Sequence, residues 1–305
     1  MMPTNHVVLV RPASFRSNEQ TAVNNYYQKA TRLSNAAALK KALHEFDTLV
    51  DCLRKHQVRV TVVQDLPTTD TPDALFPNNW VAMLPNNRAA LFPMFAKNRR
   101  AERNNRIFDV LKASGHEILS IKDYTSTEHN FMFLEGTGSM VLDHQNRIAY
   151  CALSPRASIE VLHQFCADFG YKPMVFHAYQ TIDNERLLVY HTNVVMALGA
   201  SFAVICLDAV DSLKERVMLH DSLTYSGKDV IAITEDQAAQ FAGNMLALTS
   251  KRGASLLCMS SRAYASLKPK QIQRLEHYAT LVHSPVYTIE DLGGGGVRCM
   301  MMEVY

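Results

Sequence analysis

Apolar and polar positions along this chain follow a short grammar that returns several times. In "NWVAMLPNNRAALFPMF" two apolar runs flank a polar turn at Pro85 to Asn87, which predicts a β-hairpin. "AKNRRAERNNRIFDVLKAS" has the spacing of a helix, and "HEILSI" reads as a strand. The same order follows in "GSMVLDHQNRIAYCALS", "PRASIEVLHQFCADFG" and "KPMVFH". It returns in "NVVMALGASFAVICLDAV", "DSLKERVMLHDSL" and "DVIAI", and again in "NMLALTSKRGASLLCMS", "SRAYASLKPKQIQRLEHYA" and "PVYTIE". Equivalent starts at Asn79, Gly138, Asn193, Asn244 and Cys299 lie 59, 55, 51 and 55 residues apart. A period of this length marks a repeat architecture.

The fifth copy is complete only if the two ends of the chain are joined. "RCMMMEVY" supplies its first strand, "HVVLVRP" its second, "NAAALKKALHEFDTLVDCLRKH" its helix and "VRVTVV" its closing strand. Each ββαβ unit leaves an apolar face that only a neighbour can cover, and five units in a ring leave no long open edge. The expectation is one α/β domain over residues 1–305: a five-bladed α/β propeller of ββαβ repeats with pseudo-fivefold symmetry, closed by pairing of the N- and C-terminal strands. An open α/β sheet has a similar element order but does not require the termini to pair.

Composition narrows the function classes. The 305 residues are 48% hydrophobic and 20% charged, with a formal net charge of +2, as in an ordinary globular protein. Scattered basic residues give nucleic-acid binding no support, and "KNRRAERNNR" (Lys97 to Arg106) reads as the solvated start of a helix. No run reaches the length of a membrane span and the N-terminus lacks a signal-peptide build, so a cytoplasmic protein is expected. Six separated cysteines show no Cys-x-x-Cys pair, and twelve histidines show no metal-binding spacing, so neither a metal nor a cofactor is expected. Five cysteines sit in apolar patterns, whereas Cys299 follows four glycines.

Polar residues collect at four unit boundaries: "LFPNNW", "LEGTGS", "YHTNVV" and "GGGGVRC". In a closed ring, equivalent positions converge on one pocket. Strand alternation puts His191 and Asn193 on one face with Thr192 turned away, and pairs Glu135 with Thr137, but it does not separate Asn78 from Asn79. A thiol, an imidazole and a carboxylate suggest a division of labour in which Cys299 attacks as thiolate, His191 activates it and Glu135 holds the imidazole. Glycines beside the nucleophile would let substrate and backbone N–H groups approach and stabilise an oxyanion.

These residues resemble the pentein superfamily of guanidine-modifying enzymes, over nearly the whole chain. "FPNNW", "EGTGSMVLD", "YHTN" and "GGGGVRCM" are most similar to its amidinotransferase-related branch, which includes citrulline ureidases. The resemblance implies a nucleophile at Cys299, a general acid/base at His191 and an orienting carboxylate at Glu135. Two aspartates that grip a guanidinium in arginine-acting members correspond to Asn79 and Asn193. Neutral amides suit a neutral ureido group, so citrulline hydrolysis to ornithine, ammonia and carbon dioxide is the expectation. A deiminase or dihydrolase acting on arginine or a derivative is the alternative. A non-catalytic role is a further alternative, as in the ribosomal anti-association initiation factor. The arginine that precedes the glycine run in deiminases is Leu292 here, and Arg11, Arg16, Arg88, Arg147 and Arg298 are unranked candidates for the substrate carboxylate. The implied partner is a small molecule, with no nucleic acid or membrane and with homo-oligomerisation open.

Overall fold

The computed structural model describes residues 3–305. Five three-stranded sheets share one topology, in which an antiparallel first pair is followed by a parallel second pair. In chain order four of them are Val81–Leu84, Arg88–Leu91 and Ser120–Asp123; Met140–Asp143, Ile148–Ala152 and Lys172–Phe176; Met196–Leu198, Phe202–Ile205 and Asp229–Ala232; and Leu246–Thr249, Ser255–Ser260 and Thr280–Ser284. The fifth combines Met302–Glu303 from the C-terminus with His6–Arg11 and Arg59–Gln64. Val7 pairs with Glu303 and Val8 with Met302, so the two ends of the chain share a sheet, as the repeat requires.

A parallel second pair needs a crossover, and a helix makes it in each unit. The longest, Asn35–Lys55, is started by the Ser34 side chain accepting the Ala37 N–H at 3.3 Å. It buries Ala38, Ala42, Phe46, Leu49, Val50 and Leu53, a helical stripe that packs with Val7 and Leu9. Fully burying one such large apolar side chain is worth about 1.5–3 kcal/mol. A separate hairpin, Tyr179–Ile182 with Glu185–Leu188, interrupts the repeat ahead of His191.

Two expectations need correction. "PVYTIE" is not the closing strand of its unit: that strand is Thr280–Ser284, and Pro285 is followed by the helix Tyr287–Gly293. Glu45 accepts the Thr288 and Ile289 N–H groups at its start, which favours helix over strand there. "HEILSI" likewise shifts, to Ser120–Asp123, because this strand is registered by its parallel partner Arg88–Leu91.

At each unit boundary the chain makes one tight turn before the first strand. These turns are Pro77–Asn79, Gly136–Ser139, Thr192–Val194 and Val297–Met300, with a fourth-unit turn closed by Asn244 N–H donating to Phe241 O at 2.8 Å. The first turn contacts both the second and the last, and the second contacts the third. The repeat therefore delivers Asn79, Gly138, Asn193 and Cys299 to neighbouring places.

Candidate active site

The turns bring the predicted residues together. His191 Nε2 lies 2.8 Å from Glu135 Oε2, and both side chains are buried. Burial would push Glu135 up, but Arg156, the His191 bond and Arg99 hold it down at about 2, so it is ionised. Burial lowers His191 to about 4, against the pull of Glu135, so its neutral form donates Nε2–H to the carboxylate.

Cys299 and His191 line one small cavity with Asn25, Asp73, Asn79, Arg99, Arg156 and Tyr190. No hydrogen bond joins sulfur to imidazole. Instead Cys299 Sγ lies 3.2 Å from Asn244 Nδ2 and 3.5 Å from Asn193 Nδ2. Burial raises the thiol above its ordinary value, opposed by Asn244, Arg298 and Asn193. A larger hollow lies elsewhere, beside Asp143, Lys228 and Tyr305, but neither Cys299 nor His191 lines it.

Asn79, not Asn78, reaches the cavity: its Oδ1 accepts from Arg99 at 2.8 Å, whereas Asn78 Nδ2 donates to Thr137 Oγ1 at 3.3 Å. Strand alternation gives the wrong partner for Glu135, because Gly136–Ser139 is helical; Thr137 bonds Asn78 and lines the larger hollow. None of the five arginines singled out from sequence lines the catalytic cavity. Arg11 pairs with Asp47 and Arg16 with Asp70 near the surface, and Arg298 pairs with Glu303 behind the nucleophile. Arg99 and Arg156 take the place expected of them, both buried.

Arg99 also overturns the reading of "KNRRAERNNR" as solvated. Asn98–Glu102 is a short helix in which Arg99 Nε donates to Glu102 Oε1 at 2.8 Å, inside the protein. Charge density alone does not separate a buried ion pair from a surface run.

Asp73 was missed altogether. Its Oδ2 accepts from Asn18 Nδ2 at 2.7 Å and Thr21 Oγ1 at 3.3 Å, while its Oδ1, and Asn79 Nδ2, have no partner among the described residues. Asp73 lies six residues before Asn79, in the segment leading into the first turn, where no repeat position marks it. Asn244 carried a signal that was not used: it is the fourth-unit equivalent of Asn79, Asn193 and Cys299.

Part of the glycine run is open and part is filled: Gly293 and Gly295 line the cavity with Cys299, while Asn25 packs against Gly294. Gly294, at φ +65°, caps the helix Tyr287–Gly293 and donates to Glu290 O at 2.9 Å, while Asn25 Nδ2 donates to Gly293 O at 3.2 Å. Tyr190 Oη donates to Gly294 O. Asn18, Thr21, Asn24 and Asn25 come from one N-terminal segment that covers the cavity, with Asn24 Oδ1 accepting from Arg156 Nε at 2.8 Å.

Residues 11–305 match the family described as N,N dimethylarginine dimethylhydrolase, eukaryotic. The chain belongs to that family. Membership places it among the guanidino-modifying enzymes of the pentein superfamily, as a hydrolase of C–N bonds. No curated protein matches it in sequence. Among solved structures it is similar to the N-terminal domain of ArgZ, an arginine dihydrolase from the ornithine–ammonia cycle in cyanobacteria, bound to substrate: 15% identity, TM-score 0.71, covering 98% of this chain and 97% of that one. AgrE in a complex with L-arginine is 17% identical with a TM-score of 0.73, covering 98% of this chain and 40% of AgrE. A dimethylarginine dimethylaminohydrolase adduct with S-methyl-L-thiocitrulline is 15% identical with a TM-score of 0.62, covering 99% and 100%. Identities this low establish a shared fold. No helix among the described residues is long and apolar enough to cross a membrane.

Proposed function

We propose that the chain hydrolyses the guanidino group of arginine or an N-substituted arginine, with Cys299 as nucleophile, His191 as proton carrier and Glu135 holding the imidazole. The observation that carries this reading is Asp73: a buried carboxylate lining the cavity with one oxygen unpartnered. Burial raises its pKa against the pull of Arg99, whose Nε lies 3.7 Å from Oδ2. A substrate guanidinium can give the unpartnered Oδ1 a charged donor.

The neutrality argument for citrulline rested on Asn79 and Asn193 alone and left Asp73 out. The relatives named above, which act on or bind arginine or methylated arginine, favour the same substrate class.

In the proposed reaction the Cys299 proton passes to His191, and the thiolate adds to the guanidino carbon. His191 returns the proton to the leaving nitrogen, and ammonia, or an amine from a substituted arginine, departs to leave an S-alkylthiouronium. Water then adds as His191 takes its proton, the C–S bond breaks, the proton returns to the thiolate, and citrulline is released. Arg99 and Arg156 are the cations that line the cavity, and an α-carboxylate would have to share them with Glu102, Asn79, Asn24 and Glu135. The five similar sheets are read as the blades of one closed α/β propeller, with the site on its axis.

Asn79 favours a second reading. Its unpartnered Nδ2 donor matches a ureido carbonyl, so citrulline formed in the first turnover is a candidate for a second that yields ornithine. The test offers arginine, methylated arginines and citrulline separately and quantifies ammonia, methylamines, citrulline and ornithine. Arginine-type turnover with an alkylthiouronium mass on Cys299 supports the proposal. Turnover of citrulline alone, with a carbamoyl adduct, overturns it in favour of the ureidase.

A further inference from the structure

The fourth unit places a buried amide against the nucleophile, and all of its polar capacity but one lone pair is committed. Asn244 Nδ2 donates to Cys299 Sγ at 3.2 Å and to Asn193 O at 2.9 Å, while its Oδ1 accepts the Arg298 N–H at 3.0 Å. The amide orientation is therefore fixed by chemistry, because a flip would set its oxygen against a carbonyl and its NH2 against an N–H. The side chain is fully buried.

We propose that Asn244 is a positioning residue that stabilises the thiolate of Cys299 as it forms and aims the sulfur at the substrate carbon. This rests on the assignment of Cys299 as nucleophile and on no choice of substrate. A neutral thiol gains little here, since its one weak donor finds only Asn193 Oδ1, at 3.6 Å. A thiolate accepts from both Asn244 and Asn193, and charge-assisted bonds are roughly twice as strong as neutral ones. The two amides stabilise the charge left on sulfur when its proton departs to His191. Asn244 also fixes the sulfur through the backbone, because Arg298 immediately precedes Cys299 and is tied to the same amide.

The charged and titratable groups facing the sulfur are Arg298 beside it and, across the cavity, His191, Tyr190, Asp73, Arg99 and Arg156. These remain when Asn244 is changed, so a shift in thiol titration on substitution reports the amide. Asn244→Ala removes the donor, and Asn244→Asp keeps the shape but replaces the donor with an acceptor.

The experiment follows the rate of Cys299 alkylation by iodoacetamide against pH, with Cys299→Ser as the blank for the other cysteines. About a tenfold loss of rate at pH 7.5 and an upward move of the pH midpoint are expected for Asn244→Ala, with a larger move for Asn244→Asp, and kcat should fall more than KM rises. An unchanged midpoint in folded variants overturns the proposal. A second measurement needs no variant at Asn244: in the 15N-labelled wild type, the Asn244 side-chain amide resonance should titrate with the thiol and lose that titration in Cys299→Ser. A resonance insensitive to thiol ionisation also overturns it. Inactivity toward arginine with the expected thiol titration would refute only the substrate reading.

Discussion

His191 and Glu135 form a buried pair in which the carboxylate is held twice: Oε2 lies 2.8 Å from His191 Nε2, and Oε1 accepts the Phe95 N–H at 2.9 Å. The backbone bond fixes the carboxylate so that it can fix the imidazole. In the fold His191 is lowered from its ordinary 6.5 to about 4, mainly by burial, so the unfolded chain takes up its proton first as pH falls. Its stabilising contribution is therefore present above 6.5 and is lost between 6.5 and 4, with a full size on the order of 3 kcal/mol. Glu135, lowered to about 2, adds a loss only below its ordinary 4.5. Across pH 6.5 to 4, denaturant titrations should show wild type losing stability relative to His191→Gln. Parallel curves would show that His191 titrates normally in the fold.

Asp73 is expected to select for a cation. Asp73→Asn keeps the shape and the Asn18 and Thr21 neighbours but removes the charge. Loss of a hydrogen bond to a charged group costs about 1.5–3 kcal/mol, roughly one to two decades in kcat/KM for arginine. Citrulline turnover should change far less. The ratio of the two kcat/KM values in the variant measures the selection, and an equal loss for both would remove Asp73 from substrate recognition.

Arg99 carries stability as well as charge. Its Nε and the second guanidinium nitrogen donate to Glu102 at 2.8 and 2.9 Å, its other nitrogen donates to Asn79, and all three residues are buried. Arg99→Ala leaves Glu102 buried without its cation and should cost about 3–5 kcal/mol by denaturant titration. Arg99→Ala combined with Glu102→Leu should recover much of that loss but not the activity, because the cavity still lacks the cation beside Asn79. Failure of the double substitution to recover stability would show that the pair is not what Arg99 supplies.

The repeat was legible because its signal is distributed. Four hairpins, each followed by a helix and a strand, leave the same trace at a near-constant spacing, and the pairing of the two chain ends through Met302 and Val8 follows from counting. The meeting of Cys299, His191, Glu135, Asn79 and Asn193 was legible because they sit at equivalent boundaries. Asp73, Arg99 and Arg156 were not. Each reaches the cavity from a segment outside the repeat's register, and a buried ionic residue has the same letter as a solvated one. The glycines were legible in part: Gly293 and Gly295 do line the cavity, whereas the space beside Gly294 is taken by Asn25, which comes from a distant part of the chain.

Gly138 supplies the sharpest steric test, because it separates two functional side chains by having none of its own. A Cβ at this position would lie 2.4 Å from Asn79 Nδ2 and 2.7 Å from His191 Nδ1, closer than real Cβ atoms come. Neither neighbour can retreat cheaply: Asn79 is tied to Arg99 at 2.8 Å and His191 to Glu135 at 2.8 Å. Gly138→Ala should therefore displace the imidazole or the amide and reduce kcat by about two decades, the scale set by a misplacement of roughly 1 Å in a catalytic group. Its stability cost should stay within the about 1–3 kcal/mol usual for overpacking, so the protein should remain folded by circular dichroism. Alkylation of Cys299 should be little affected, since the thiol contacts Asn244 and Asn193 rather than Gly138. Wild-type kcat in a folded Gly138→Ala protein would mean that the catalytic imidazole occupies a different position during turnover.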